Sequence, residues 1–398
     1  MDVRIFAETI EDKAKEQIFK LASQPAFENC KIRIMPDVHA GAGCVIGFTA
    51  NLGDKVIPNV VGVDIGCGMI VASLGKKEID LDRLDKAIRE EVPAGRNVNE
   101  KIYGFSFPLE RLFCYHNLKN TDWLLRSLGT LGGGNHFIEV DQDDEGEKYL
   151  IIHTGSRNLG KQVADYYQDM AIRGCKDGKA SIMLRERERI ILEYKATGRQ
   201  SEISDALKKL NNEFSSAVSI PSDLCYLEGE EAKWYLHDMS ICQSFAKWNR
   251  ILLLSRIVGR AGFSEAHFEF ETVHNYIDTE TGIVRKGAVS ADKGERLIIP
   301  MNMRDGCIIG VGKGNEEWNC SAPHGAGRIM SRMEARKKLS LEAYKESMGG
   351  IFSTSVSDET IDEAPMAYKP AKEIIDMIEP SVEIIKIIRP IYNFKAVE

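Results

Sequence analysis

Leu131-Gly132-Gly133-Gly134-Asn135-His136-Phe137-Ile138-Glu139-Val140 runs through the charged stretch Asp141–Lys148 into Tyr149-Leu150-Ile151-Ile152-His153-Thr154-Gly155-Ser156-Arg157. Two short apolar runs separated by polar, turn-forming residues read as a β-hairpin, and the charge run is most simply its solvated turn. Side chains alternate across a strand, so Asn135, Phe137 and Glu139 share one face and His136, Ile138 and Val140 the other. The triple glycine lets the backbone approach a phosphate closely. The second run ends on a His and an Arg.

Outward from this hairpin the chain has three textures. Residues 1–158 hold further strand-like runs at Ile32–Met35, Val60–Val63 and Met69–Ala72. Residues 159–262 hold almost no Pro, and Trp234, Ile241, Phe245, Trp248 and Leu252 recur at the spacing of one helix face. Residues 264–328 return to strands and glycine turns, and 329–398 combine a helical pattern over Ile329–Ser347 with a polar loop and a short ending. No repeat, low-complexity tract or Pro/Ser linker divides them. The expectation is an α+β fold: a single compact domain over residues 1–398, with mixed sheets around a central cleft and a helical insertion at 159–262.

Composition narrows the class. Apolar residues at 43% and charged residues at 28% exclude a disordered or fibrous chain. Nine Cys, an odd number without a C-x-x-C pair, speak against a secreted disulfide scaffold. Met1-Asp2-Val3-Arg4 opens no leader pattern, so a cytoplasmic location is expected. The longest apolar runs, such as Ile251–Leu254, are too short to span a bilayer, so no membrane partner is expected. A formal charge of -8 disfavours a general nucleic-acid coat but permits a local basic site.

Chemistry gathers at glycine-rich motifs. Pro36-Asp37-Val38-His39-Ala40-Gly41 and Val63-Asp64-Ile65-Gly66-Cys67-Gly68 place carboxylate, imidazole and thiol in tight turns. In His267–His274, alternation solvates His267 and turns His274 inward with Phe268 and Phe270. A lone inward His is more often a hydrogen-bonded core residue than a ligand. Three such His together with Asp64-x-x-Cys67 favour a metal, held by Asp64, Cys67, His136, His153 and His274. Five candidates exceed one tetrahedral shell, so two ions sharing a bridging group fit. Thiolate and imidazole exclude Mg and Ca; softness favours Zn over Mn, so the residues alone do not name the metal. In Ala322-Pro323-His324-Gly325-Ala326-Gly327-Arg328, the glycines and the helical pattern that follows place His324 at a helix N-terminus, where anions are favoured. There it could bind phosphate, act as a base or attack phosphorus; the plainer alternative is an exposed His in a capping loop. Arg157, Arg285, Lys286, Lys293, Arg304 and Arg328 offer cations for a phosphate backbone. His116 and His237 read as structural, and Cys30, Cys114, Cys175, Cys225 and Cys242 as small apolar residues.

Together these motifs resemble the RtcB family of RNA-splicing ligases. The matching segments are Met35–Ala50, Ile57–Met69, Leu131–Val140, His153–Arg157, Val273–Tyr276, Arg285–Ala288 and His324–Arg328, with Tyr235–Arg250 also similar. The resemblance implies an RtcB-like domain around a metal and nucleotide cleft. It implies GTP- and Mn-dependent joining of RNA 2',3'-cyclic phosphate or 3'-phosphate ends to 5'-hydroxyl ends. Asp64, Cys67, His136, His153 and His274 would hold two Mn2+ ions, bridged by Cys67. His324 would form a covalent adduct with GMP, which passes to the RNA 3'-phosphate before the 5'-hydroxyl displaces it. The nucleotide would lie against Asn135, His136, Phe137, Ile138 and Glu139, with Glu139 reading guanine N–H donors. His274, Asn275, Pro300, Met301, Asn302, Met303 and Cys307 would surround it, as would Gly325, Ala326 and Gly327, with Tyr368 stacking and Lys395 contacting guanine. Arg157, Arg285 and Lys286 would take RNA phosphates, and Asp37 and His39 would support the site. The partner implied is RNA with broken ends, tRNA or rRNA fragments, acted on by a monomer; an activating protein is left open.

The chain also departs from that family. A Pro-Gly-Ser-Met loop is usual where this chain reads Pro300-Met301-Asn302-Met303-Arg304-Asp305-Gly306-Cys307, and Asn302 and Cys307 stand in place of serines. Residues 285–293 lack the usual Thr-Arg after the alanine, and the C-terminus runs past Lys395. A branch acting on a particular damaged RNA is expected from that loop, with poor sealing of generic tRNA halves. Two other classes use the same residues: a dinuclear metallo-phosphodiesterase, which needs neither His324 nor GTP, and a non-catalytic RNA-end-binding protein.

Overall fold

The computed structural model describes residues 2–216 and 220–396. Its larger sheet is antiparallel, in the order Arg296–Asn302, Gly306–Gly312, Val382–Lys395, Phe137–Gln142, Lys148–Thr154, Gly68–Gly75 and His267–Val273. Register shifts at Pro300/Asn302, Ile309/Gly310, Pro390/Tyr392 and Val71/Ala72 bend it, as bulges do. The bend brings the outermost strands together: Arg296 pairs with Glu269 at 2.7 Å, and the Ile298 N–H donates to Thr272 Oγ1 at 3.3 Å. Side chains from all of these strands, including Met69, Phe137, Ile151, Phe270, Ile298 and Ile388, fill one interior cluster. On the opposite face Ile138, Val140, Leu150 and Ile152 pack with Leu253 and Ile257 of the helix Gly229–Ala261. Period-two alternation in the opening hairpin therefore decides what enters the curled sheet and what lies under the helix.

A second sheet orders Asp2–Ile5, Lys31–His39, Ile46–Asn51, Ile283–Lys286 and Asn275–Ile277, and Ala288–Ser290 pairs with Ser321–Pro323. Helices Arg157–Ala196, Ile203–Ser216 and Gly229–Ala261 occupy the Pro-poor zone. The expected stripe on the last of these meets aromatic residues of the preceding loop: Phe245 lies 5.2 Å from Phe107, and Trp248 5.0 Å from Phe105, centroid to centroid. Gly262, at φ 79, ends that helix in the left-handed conformation that glycine adopts without strain. Sheets and helices together form one α+β domain. Among the described residues no helix is long and apolar enough to cross a membrane.

Three local expectations change. Val60–Val63 is not a strand: Pro58 starts a single 3-10 turn over Pro58–Val60, and Gly62 at φ 100 follows it. The charge run 141–148 is a hairpin turn only at its tip, because Asp141 and Lys148 belong to the strands and are buried. Ile329–Ser347 is two short helices, Arg332–Lys338 and Leu341–Ser347, rather than one. The Ser331/Glu334 capping box fixes the first start and Ser340 caps the second.

Candidate active site

In an antiparallel sheet the start of one strand lies beside the end of its neighbour. Cys67 precedes Gly68–Gly75, His136 precedes Phe137–Gln142, His153 is the penultimate residue of Lys148–Thr154, and His274 follows His267–Val273. Met69 and Phe137 are both in register with His153, and Gly68 with Val273, so all these residues meet at one end of the sheet. His136 lies in the turn before its strand, so the alternation drawn for Ile138 and Val140 does not extend to it. Its ring is set instead by the Leu131 carbonyl, 2.8 Å from Nδ1. The His153 Nδ1 likewise lies 3.2 Å from the Asn135 carbonyl. A carbonyl only accepts, so each Nδ1 bears the proton and each Nε2 turns its lone pair to the Cys67 sulfur, at 3.5 and 3.3 Å. Asp64 Oδ2 is 3.0 Å from His136 Nε2.

Two triads result, Asp64–Cys67–His136 and Cys67–His153–His274, with ligand atoms within 4.8 Å of one another and Cys67 common to both. The donor set fits divalent cations. His274 Nδ1 is buried without a hydrogen-bond partner. Burial, reinforced by neighbouring imidazoles, pushes His153 and His274 well below the usual imidazole range, leaving neutral rings with free lone pairs. Burial and the Asp64 charge push the Cys67 thiol well up, so a thiolate there requires a positive ion beside it.

The helix Gly229–Ala261 holds this end in place through two residues that spacing alone does not single out. Asn249 donates to the carbonyls of Thr130 and Gly155 and accepts from the Gly129 and Thr130 N–H groups. Arg250, 1% exposed, donates to the carbonyls of Gly66 and Thr154 and pairs with Glu271. Their sequence signal is an Asn-Arg pair on a buried face that, Asp238 apart, is apolar or aromatic. Gly155 is required by proximity, since a Cβ there would stand 2.2 Å from Asp64 Oδ1.

His324 follows the strand Ser321–Pro323, and its ring centroid is 4.7 Å from that of His274. Asp37, wholly buried, accepts from the His324 N–H at 3.1 Å and lies 2.6 Å from Nδ1 through the same Oδ2. The bond places the proton on Nδ1 and leaves Nε2 with a lone pair, the arrangement of an oriented nucleophile or base. His39 turns its Nδ1 to the Asp37 carbonyl at 2.9 Å, and burial lowers its pKa to about 4, so it is neutral. Gly327, at φ 75, brings its loop against Asp37, where a Cβ would meet the Asp37 carbonyl oxygen at 2.2 Å. The expected helix mouth at His324 is thus corrected. Arg328 forms an extended bridge with Tyr368, and the helix waits until Arg332.

Comparison with known proteins places this arrangement. A family model described as tRNA-splicing ligase RtcB matches residues 17–111 and 115–396. RNA-splicing ligase RtcB of Escherichia coli K12 is 31% identical over 97% of this chain and 95% of its own length. RNA-splicing ligase RtcB2 of another Escherichia coli strain is 25% identical over 97% and 93%. tRNA-splicing ligase RtcB of Archaeoglobus fulgidus is 26% identical over 94% and 89%. The chain belongs to the RtcB family.

In this RtcB-family chain, a cleft of about 700 Å³ opens beside the metal ligands, lined by His324 and the 325–327 loop. Asn135, Phe137, Glu139, Tyr368 and Lys395 also face it, as do Pro300, Met301, Asn302 and Met303. Ile138 does not: it points to the helix side, as alternation demands. Asn275 is a scaffold residue, donating to the Asp64 carbonyl and accepting from the Gly287 N–H. Asn302 caps the 303–305 turn, accepting from the Arg304 and Asp305 N–H groups. Cys307 lies behind Glu139, 3.6 Å from Oε1, while Asn393 donates to Oε2. Burial raises Glu139, and burial with the Glu139 charge raises Asp141 well above the carboxylate range. Lys395 is held by Glu363 at 2.7 Å and by the Asn135 carbonyl at 3.1 Å.

Two of the three basic residues expected to meet RNA are buried in the scaffold. Arg285 is wholly buried against Ser321, Tyr276 and the Cys320 carbonyl. Lys286 donates to the carbonyls of Ala42 and Asn59. Both are buried and stitch loops together, with their donors turned to protein oxygens rather than toward a phosphate. Arg157, at φ 57, ties Thr130 to the Gly95 carbonyl beside the metal ligands.

Proposed function

We propose that this protein is a GTP-dependent RNA ligase that joins a 2',3'-cyclic phosphate or 3'-phosphate end to a 5'-hydroxyl end. One observation carries the reading: His324 stands at the cleft with Nδ1 tied to buried Asp37 and its ring against His274 of the second metal triad. A phosphodiesterase working through a metal-bound water needs no such imidazole; a nucleotidyl transferase does.

The His324 Nε2 lone pair forms a bond to the α-phosphorus of GTP as the bond to pyrophosphate breaks. Asp37 holds the Nδ1 proton and offsets the positive charge that builds on the ring. A 2',3'-cyclic end is first opened by water, which breaks the P–O2' bond and leaves a 2'-hydroxyl and a 3'-phosphate. A 3'-phosphate oxygen then takes GMP from His324, restoring the neutral ring. The 5'-hydroxyl oxygen attacks the 3'-phosphorus, giving up its proton as GMP leaves. Two Mn2+ ions, held by Asp64, Cys67, His136, His153 and His274, would neutralise charge on the phosphoryl oxygens. Asn135, Phe137, Glu139 and Lys395 form the wall we assign to the guanosine, and the natural RNA is a broken tRNA or rRNA strand.

The test is to incubate the protein with Mn2+, GTP and two RNAs, one ending in 3'-phosphate and one beginning with 5'-hydroxyl. A joined product that retains the terminal phosphorus at the junction supports the reading. Cleavage without joining would support a phosphodiesterase, and binding without either would support a non-catalytic role. Asp37→Asn keeps the shape of the dyad and removes its charge. Losing a charge-assisted bond of about 1.5–3 kcal/mol should slow guanylation about 10- to 100-fold with little change in metal content. Single-turnover labelling checks this.

A further inference from the structure

The cleft wall contains a carboxylate that no motif in the sequence announces. Glu363 is 3% exposed, and four side chains converge on it. Lys395 Nζ and the Tyr368 hydroxyl each donate to Oε2 at 2.7 Å, while Arg332 and Arg328 lie 2.8 and 3.3 Å from Oε1. All four line the same cleft as His324. They come from separate pieces of chain: the His324 loop and the helix after it, the 365–369 segment, and the end of the strand Val382–Lys395. The adjacent Asp362 takes Arg332 and Arg336 at 2.6 and 2.8 Å. Two carboxylates therefore gather four cations, and three of these, Arg328, Arg332 and Lys395, line the cleft.

We propose that Glu363 is the positioning residue of the nucleotide cleft, holding Lys395, Tyr368, Arg328 and Arg332 as one array against which a nucleoside triphosphate binds. The inference rests on reading the cleft as the GTP site. Burial opposes a charge on Glu363, but Lys395, Arg332 and Arg328 outweigh it and bring its pKa down to about 2, so the carboxylate is ionised at neutral pH. Lys and Arg side chains have many rotamers, and a site that leaves them loose makes the ligand order them on binding. Releasing the array therefore weakens GTP binding, while His324, held separately by Asp37, keeps its chemistry.

The experiment measures His324 guanylation against GTP concentration in the Mn2+-loaded protein, with melting temperature recorded alongside. For Glu363→Gln the expected result is a KM for GTP raised about tenfold with kcat within about threefold of wild type. Tyr368→Phe removes one hydroxyl and keeps the ring, and should raise KM about threefold. An unchanged KM in both variants, or a kcat that falls as far as KM rises, overturns the proposal. Should Glu363→Gln fail to fold, Tyr368→Phe decides alone: an unchanged KM overturns the proposal. Wild-type protein that takes up no guanylate overturns the reading of the cleft itself, whereas wild-type labelling with an unaltered KM in the variants overturns only the role of Glu363.

Discussion

Replacing His324 with alanine is expected to lower covalent labelling by α-labelled GTP by about a thousandfold or more, because His324 is the cleft imidazole whose Nδ1 is held by a carboxylate. His274, the nearest imidazole, belongs to a metal triad, and His39 has its Nδ1 on the Asp37 carbonyl rather than on a carboxylate that could offset the charge of an adduct. The substitution leaves the Asp37 carboxylate without its ring partner, and an unpaired buried group of this kind costs about 1–3 kcal/mol. The variant should therefore melt at a slightly lower temperature while binding metal normally. Labelling that survives in His324→Ala would assign the nucleophile elsewhere.

Cys67→Ala should have an effect of similar size by a different route. Cys67 is the one residue common to both triads, so losing its sulfur removes a ligand from each. Elemental analysis is expected to find metal falling from two ions per chain toward none, and ligation falling about a thousandfold or more with it. His136→Ala, which touches one triad, should retain about one ion. Equal metal content in wild type and Cys67→Ala would contradict a shared sulfur.

Much of the site was legible because its residues lie in glycine-rich turns at strand ends, where a side chain can leave the sheet without clashing. Alternation from Phe137 onward separated Phe137 and Glu139 from Ile138; the structure puts the first two at the cleft and Ile138 under the helix, away from the nucleotide where the resemblance had placed it. Alternation misplaced His136 on the face of Ile138, because the strand starts only at Phe137 and the ring is set by a carbonyl five residues back. The Asp37–His324 pair spans 287 residues, and nothing in local spacing shows that the second strand of one sheet meets the end of another. The same holds for Glu363, whose partners come from three separate segments. Arg285 and Lys286 misled because a basic residue in a strand is ordinarily solvated, whereas these two are buried on carbonyls and hydroxyls of distant loops. The helix expected from Ile329 ignored a readable signal, the Ser331-x-x-Glu334 box, which starts the helix beyond His324 and removes the helix-terminus account of anion binding.

The most direct test of the central claim is a crystal structure of the protein grown with manganese and GTP. The account predicts two metal peaks sharing the Cys67 sulfur, and continuous density from His324 Nε2 to the phosphorus of a guanylate lying between Phe137 and Lys395. Guanylate bound with no bond to His324, or metal peaks that do not share Cys67, would contradict it.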